Sequence, residues 1–344
     1  MIAVPSPRTA PLPRWRVLDA CPSDWNAHVA RCGGGFFHTP LGIRAGAPAG
    51  DPVFFALSHE DQIDAVAVGV RHACRLSRSP RHVYLPAPPA VHDPGQRDDA
   101  MAGLVNHLRL GGTADLVVDT FDASWQPQHA AGAASPSRQE FTVRLQDERS
   151  MFARCAEHHR RKIRHADLAG WTWRAHAGPD ARRVLALAQD AAGHRAQSRG
   201  AGFAFTMPAV AGDTQLHMDA PWGAAVFAAW RDDTLLSATL VGWGGASAYS
   251  LVAGSTPAGY AESASIWLQF RTMVAFAERG LATYNLGGVS DVLDATPRAK
   301  AGLERFKLGF GATAHEWSGR RWALRPVHVG GHTLHRRMSA WYDA

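Results

Sequence analysis

The chain of 344 residues is long enough for two domains of ordinary size, each with its own core. Apolar residues at 46% and charged residues at 19% describe a globular chain and exclude a disordered one. No apolar run approaches the roughly 18 residues that span a bilayer, and the net charge of +6 suits an acidic partner without naming one.

In chain order, Met1 to Arg14 carries four prolines and lacks an apolar core and a cleavage site, so it reads as a disordered tail (1–14) and no signal peptide. A cytoplasmic protein is expected. Strands are predicted near Val53–Leu57, Ile63–Val70 and Val83–Leu85, a helix near Gln96–Leu110, and a strand over Asp115–Asp119. The polar stretch Gln146–Ser150 marks a boundary, giving a first domain over 15–147 and a second over 148–319. In the second, a strand–turn–strand unit is followed by a third strand through Ala246–Val252. A helix is predicted over Glu262–Arg279, since Ile266, Phe270, Met273, Val274 and Ala277 keep helical spacing and Gly280 closes it. A strand over Ala282–Leu286, a helix ending at Lys307 and a strand over Thr313–Trp317 complete the series.

The two halves read as one fold written twice. Val53–Gly69 aligns with Val226–Gly242 at a constant offset of 173, with identities at Val53/Val226, Phe54/Phe227, Ala56/Ala229, Ala65/Ala238, Val68/Val241 and Gly69/Gly242. Each copy is a pair of apolar runs around an acidic turn, and the offset is close to half the chain, as a tandem duplication predicts.

Cys21, Cys32, Cys74 and Cys155 lie far apart without a C-x-x-C spacing, which argues against thiolate zinc and against a disulfide framework. His328, His332 and His335 have ligand-like spacing but no nearby carboxylate or cysteine to complete a site, so no metal is expected. The densest cationic tract is His158–His165, containing Arg160, Arg161, Lys162 and Arg164. Such a tract is either a solvated helix face or a track for nucleic-acid phosphates, which require clustered cations.

Lysine occurs only at Lys162, Lys300 and Lys307, against 36 Lys+Arg in total. A lysine that persists in so arginine-rich a chain is a candidate for work a planar guanidinium cannot do. Thr296-Pro297 reads as an N-cap and first helical residue, and Gly309 as the stop. Lys307 is thereby placed in the last turn with its tip free to reach a cleft. The plainer role for Lys307 there is to offset the negative end of the helix dipole.

Tyr284-Asn-Leu-Gly-Gly-Val289 followed by Gly302-Leu-Glu-Arg-Phe-Lys-Leu-Gly-Phe-Gly311 resembles the end of the Fem family of tRNA-dependent aminoacyl (peptidyl) transferases. Arg160–Ala166 with Gly170 is similar to the Arg-rich helix opening the second half of Fem proteins, and Phe36-Phe-His-Thr-Pro40 to their early Phe-x-Ser-Pro element. The resemblance implies an α+β fold of two tandem GNAT-like domains, each a mixed, mostly antiparallel sheet flanked by helices. The predicted order of strands and helices agrees with it. It leaves open a return of 320–344 to complete the first domain. No heptad run is present, so the chain resembles the compact members that lack a coiled-coil insertion.

An aminoacyl-tRNA carries an activated ester, so an enzyme joining it to an amine must chiefly hold both substrates and stabilise the oxyanion. The resemblance places the functional lysine at Lys307, with Phe306 shaping the wall beside it. Tyr249, Asn285, Arg44, Arg195 and Arg199 are candidates for contacts to the acceptor, and Asp119 for help with the proton. Arg160, Arg161, Lys162 and Arg164 become candidates for the tRNA backbone. Aminoacyl-tRNA is the co-substrate, and no further cofactor, metal or membrane insertion is expected. Gly202-Phe203 is followed by neither Arg nor Tyr, and Gly42-Ile43 stands where the peptidoglycan-building members have a tryptophan segment. A small peptide or natural-product intermediate is therefore favoured as acceptor over a peptidoglycan precursor. Two further alternatives remain: an acyl-CoA-dependent N-acyltransferase, and a non-catalytic double-GNAT module binding RNA or a glycan. The segment Gly254–Glu262 lacks the Arg expected of a pyrophosphate loop and ends in a carboxylate, which disfavours acyl-CoA.

Overall fold

The computed structural model describes residues 14–18, 20–46, 50–59, 62–73, 81–119, 133–198, 220–290 and 297–324. The first part of the chain contributes β1 (Arg14–Leu18), α1 (Trp25–Arg31), a 3-10 turn (Phe36–His38), α2 (Pro40–Gly46), β2 (Asp51–His59), β3 (Gln62–Ala73), β4 (Arg81–Leu85), β5 (Ala90–Val91), α3 (Arg97–Leu110), β6 (Thr113–Val118) and β7 (Ala133–Arg144). There follow α4 (Glu148–Arg154), α5 (Glu157–Leu168), β8 (Thr172–His176), α6 (Gly178–Ser198), β9 (Trp222–Arg231), β10 (Thr234–Gly244), β11 (Ser247–Ser255), α7 (Pro257–Glu262), α8 (Ala264–Glu278), β12 (Thr283–Ser290), α9 (Pro297–Leu308) and β13 (Thr313–Ala323). The strands and the long helices predicted from periodicity are present, with ends moved by a few residues.

Each half repeats one topology: two antiparallel hairpin strands, a third antiparallel strand, a helix, then a strand parallel to the third. In the first half these are β2, β3, β4, α3 and β6. In the second they are β9, β10, β11, α8 and β12. This is the tandem GNAT-like arrangement. The described strands join into a single sheet of order β1-β2-β3-β4-β6-β13-β7-β12-β11-β10-β9-β8, with β5 pairing β3.

The halves exchange their last strands. β7 follows the first half in sequence but pairs with β12, from Thr283↔Arg144 to Ser290↔Arg138. β13 follows the second half, pairs with β7, and continues onto β6 from Arg320↔Val118 to Ala323↔Asp115. A boundary drawn near residue 147 therefore cuts the chain but not the sheet.

The hairpins show that the repeat offset is 172, one less than the sequence alignment suggests. The two-residue turns His59↔Gln62 and Arg231↔Thr234 correspond, as do the bulges beyond them, at Leu57/Ser58 and at Leu235/Ser237. A slip of one residue turns every strand side chain to the other face. At offset 172 the faces agree: Phe55 and Phe227 both lie in the cores under α3 and α8, and Phe54 and Val226 both face the opposite side. Chance identities among short apolar runs had outweighed the true register.

One face of the sheet packs on α3 in the first half and on α5 and α8 in the second. The other packs on α1 and α2 in the first half and on α6 in the second. The 3-10 turn crosses between halves. Phe36 lies so flat on β10 that a Cβ at Gly242 would fall 2.4 Å from its ring. Of the described residues, no helix is long and apolar enough to cross a membrane.

Candidate active site

Strands β11 and β12 begin as neighbours and then part. They pair at Ser247↔Thr283, Ala248↔Tyr284 and Tyr249↔Asn285, and no further. A bulge in β11 at the Leu240/Val241 register step and a bulge in β12 between Asn285 and Gly288 both follow the last pair. The equivalent strands of the first half stay together: β4 and β6 pair as far as Leu85↔Val118, and the Asp119 amide still donates to the Leu85 carbonyl at 2.8 Å. The open gap thus belongs to the second half.

The sequence Asn285-Leu-Gly-Gly288 builds the rim of that gap. The Asn285 side chain accepts a hydrogen bond from the Gly287 amide at 2.7 Å and donates to the carboxylate of Glu140 at 2.9 Å. Gly287 has φ +78°, a conformation that a residue with a Cβ adopts only under strain. Just beyond the bulge, the Gly288 carbonyl accepts a hydrogen bond from Lys307.

Lys307 lies in the last turn of α9, which starts at Pro297 and ends before Gly309. Its tip is not free in a cleft, as the sequence suggested. The side chain is 5% exposed, Nζ donates to the Gly288 carbonyl at 2.8 Å, and it sits 5.4 Å from the centre of the Phe141 ring. The carbonyl, the aromatic face and the negative end of the helix dipole all favour the ammonium. A Cβ on Gly287 would stand 3.4 Å from the Ser250 carbonyl oxygen and 3.8 Å from Lys307 Nζ, so β11, β12 and the lysine meet at this point.

Phe306 is half-buried and packs on Phe310 and on His159 of α5. His159 is fully buried, and a Cβ at Gly309 would fall 2.0 Å from its Cε1. The Ala156 amide donates to the Gly309 carbonyl at 2.8 Å, which seats the start of α5 on the end of α9. Burial, reinforced by neighbouring His158 and opposed by the Phe306 carbonyl, lowers the His159 pKa to about 4, so the ring is neutral near pH 7.

The cationic tract divides. Arg161 and Arg164 are exposed and Lys162 is half-buried. Arg160 is turned inward: Nη1 donates to the carbonyls of Cys155 at 2.8 Å and Ala153 at 3.1 Å, and Nε to Glu157 at 3.2 Å. Its guanidinium closes the turn between α4 and α5, a job the sequence reading had not separated from phosphate contact.

Tyr249 and Asn285 are brought side by side as β11–β12 partners, both buried. Tyr249 packs edge-on against Phe37 at 4.8 Å, and its hydroxyl lies beside Gly35. Arg44 is exposed near the end of α2. Asp119, just past the end of β6 in the closed first half, accepts from the Tyr84 hydroxyl at 3.4 Å. Arg195 lies on α6 with its side chain outside the described residues. Arg199, Gly202-Phe203, Cys74, His328, His332 and His335 lie outside them altogether. Sequence reasoning missed Glu140, Phe141, His159 and Gln269, because each acts through a partner distant in the chain.

The FemAB family model matches residues 225–329. Within the second half, this segment is similar to the FemAB family. The match runs from β9 through α9 and β13, and so covers the open gap, the Asn285–Gly288 bulge and Lys307. Comparison with curated proteins gives no match. Among solved structures, the crystal structure of FemX is 13% identical, with a TM-score of 0.64, covering 94% of this chain and 99% of FemX. L-PGS from Bacillus licheniformis is also 13% identical, with a TM-score of 0.52, covering 93% of this chain and 95% of the other. At these identities the structural likeness concerns the fold. Residues 225–329 thus resemble the FemAB family, and the chain as a whole shares its fold with FemX.

Proposed function

We propose that the protein transfers the aminoacyl group of a charged tRNA to a free amine and so forms an amide bond. The observation that carries the reading is the ammonium of Lys307, fixed on the β12 bulge where β11 and β12 part. The amine nitrogen attacks the ester carbonyl carbon, the C–O bond to the terminal ribose breaks, and the ribose oxygen leaves with the proton released by the amine. Negative charge builds on the carbonyl oxygen during attack, and a fixed positive charge beside it stabilises it. Arg161, Lys162 and Arg164 on α5 lie on the helix seated against α9, suited to the phosphates that lead to the charged end. Tyr249, Asn285 and Arg44 are assigned to the acceptor, a small peptide or natural-product intermediate bearing a free amine. Such a reaction belongs in the cytoplasm, where charged tRNA is found.

The acyl-CoA alternative is disfavoured by the start of α8. There α7 runs directly into α8, and Glu262 is ion-paired with Arg231 at 2.6 Å where a pyrophosphate would have to sit. The test incubates the protein with mixed charged tRNAs and candidate amines, with and without RNase, and with acyl-CoA donors in parallel. RNase-sensitive amide formation that disappears in Lys307→Ala is expected. Transfer from acyl-CoA that survives RNase would overturn the reading.

A further inference from the structure

Where β11 and β12 lose their backbone pairing, side chains join them instead. The Tyr284 hydroxyl donates to Gln269 Oε1 at 2.7 Å. Gln269 Nε2 donates to Ser250 Oγ at 3.1 Å and to Thr239 Oγ1 at 3.3 Å. The two hydroxyls are 3.1 Å apart, and Thr239 also donates to the Val252 carbonyl at 3.1 Å. Four elements meet here: β10, β11, α8 and β12. Gln269 is 3% exposed, and Thr239 and Tyr284 are 0% exposed.

The Gln269 amide donates to both hydroxyls, and between Thr239 and Ser250 either hydroxyl can donate to the other. Tyr284 is held protonated, because burial pushes its phenol above its ordinary range, and it supplies the donor that Gln269 Oε1 needs. A buried hydrogen-bonded network that joins four elements in this way rigidifies their packing. It spans the gap at the depth where the strands separate. Ser250 belongs both to this network and to the rim, since its carbonyl faces Gly287 beside Lys307.

We propose that Gln269 is a positioning residue that holds β11 and β12 at the separation which lets an ester carbonyl reach Lys307. The role in transfer rests on the aminoacyl-transfer reading of this site; the role as a strut between the strands does not. The test has two readouts on the full chain. Hydrogen–deuterium exchange follows the segments Ser250–Val252 and Leu286–Gly288 without any substrate. Transfer kinetics separate kcat from KM for charged tRNA.

Gln269→Leu is expected to speed exchange in both segments and to lower kcat about ten-fold with KM unchanged. Tyr284→Phe, a milder change, is expected to shift both in the same direction and covers the case in which Gln269→Leu fails to fold. Combining the two substitutions removes donor and acceptor together and so recovers thermal stability. A strut predicts that kcat stays low in this double variant, whereas a packing role alone predicts that kcat returns with stability. Unchanged exchange in both segments, or wild-type kcat in the stable double variant, overturns the proposal. Absence of transfer in the wild-type protein overturns the functional reading instead, and exchange then decides the strut by itself.

Discussion

The carbonyl of Gly288 accepts a hydrogen bond from the ammonium of Lys307 at 2.8 Å, which ties the end of α9 to the bulge of β12. The two ends of this contact come from the two segments of the Fem-like pattern, separated in the chain and joined in space.

Lys307→Met keeps most of the buried packing and removes the charge. The fold is expected to persist while transfer falls about 100- to 1,000-fold, the usual cost of losing one oxyanion donor. Lys307→Arg is also expected to be impaired, because a planar guanidinium is larger and spreads its charge in a site that is 5% exposed. Steady-state transfer with tRNA saturating, alongside circular dichroism, checks both variants. Wild-type turnover in Lys307→Met would remove the lysine from the chemistry.

Gly309→Ala is expected to destabilise the protein by about 1–3 kcal/mol through overpacking, because the added carbon would fall 2.0 Å from the His159 ring. Urea unfolding measures it. His159→Ala opens the space, so the two substitutions together are expected to cost less than their sum, giving a coupling that a double-mutant cycle reads directly.

Acid is expected to weaken the contact between α5 and α9. His159 has a pKa of about 4 in the folded protein against an ordinary value of 6.5, so between these values the unfolded chain binds more protons. The stability linked to the neutral ring is therefore full above about pH 6.5 and is lost as pH falls towards 4, to the extent of about 3 kcal/mol. Urea unfolding at pH 7.5 and 4.5 is expected to show a smaller loss in His159→Leu than in the wild type. Equal losses would show that other groups account for the acid sensitivity.

Replacing Arg161, Lys162 and Arg164 with Ala is expected to weaken binding of charged tRNA and flatten its dependence on salt, by about 0.7–0.9 in the log–log slope per lost phosphate contact. Arg160→Ala is expected to behave differently, lowering stability while leaving the slope unchanged, since its guanidinium is committed to Cys155 and Ala153 carbonyls. Filter binding over a salt series separates the two. A slope reduced by Arg160→Ala would show that this side chain leaves its turn to meet RNA.

The features legible in the sequence alone are those decided by neighbours a few residues apart. Pro297 and Gly309 bound α9 because a missing amide and a helix stop act locally. The strand predicted to end at Leu286 bulges there, where Gly287 adopts φ +78° without strain. The periodicity of Ile266, Phe270, Met273 and Val274 reports one face of α8. The scarcity of lysine marks out Lys307 in the sequence itself. Tertiary structure decided the rest. Strand partners are chosen by long-range pairing, so the exchange of β7 and β13 between halves leaves no local trace, and the repeat offset of 172 is set by turns and bulges that apolar identities do not reveal. The same distance hid what the side chains do. Lys307 and Arg160 both read as free cations, yet Lys307 ends on a carbonyl of β12 and Arg160 turns back onto the carbonyls that join α4 to α5, because a buried or half-buried charge must be met by acceptors.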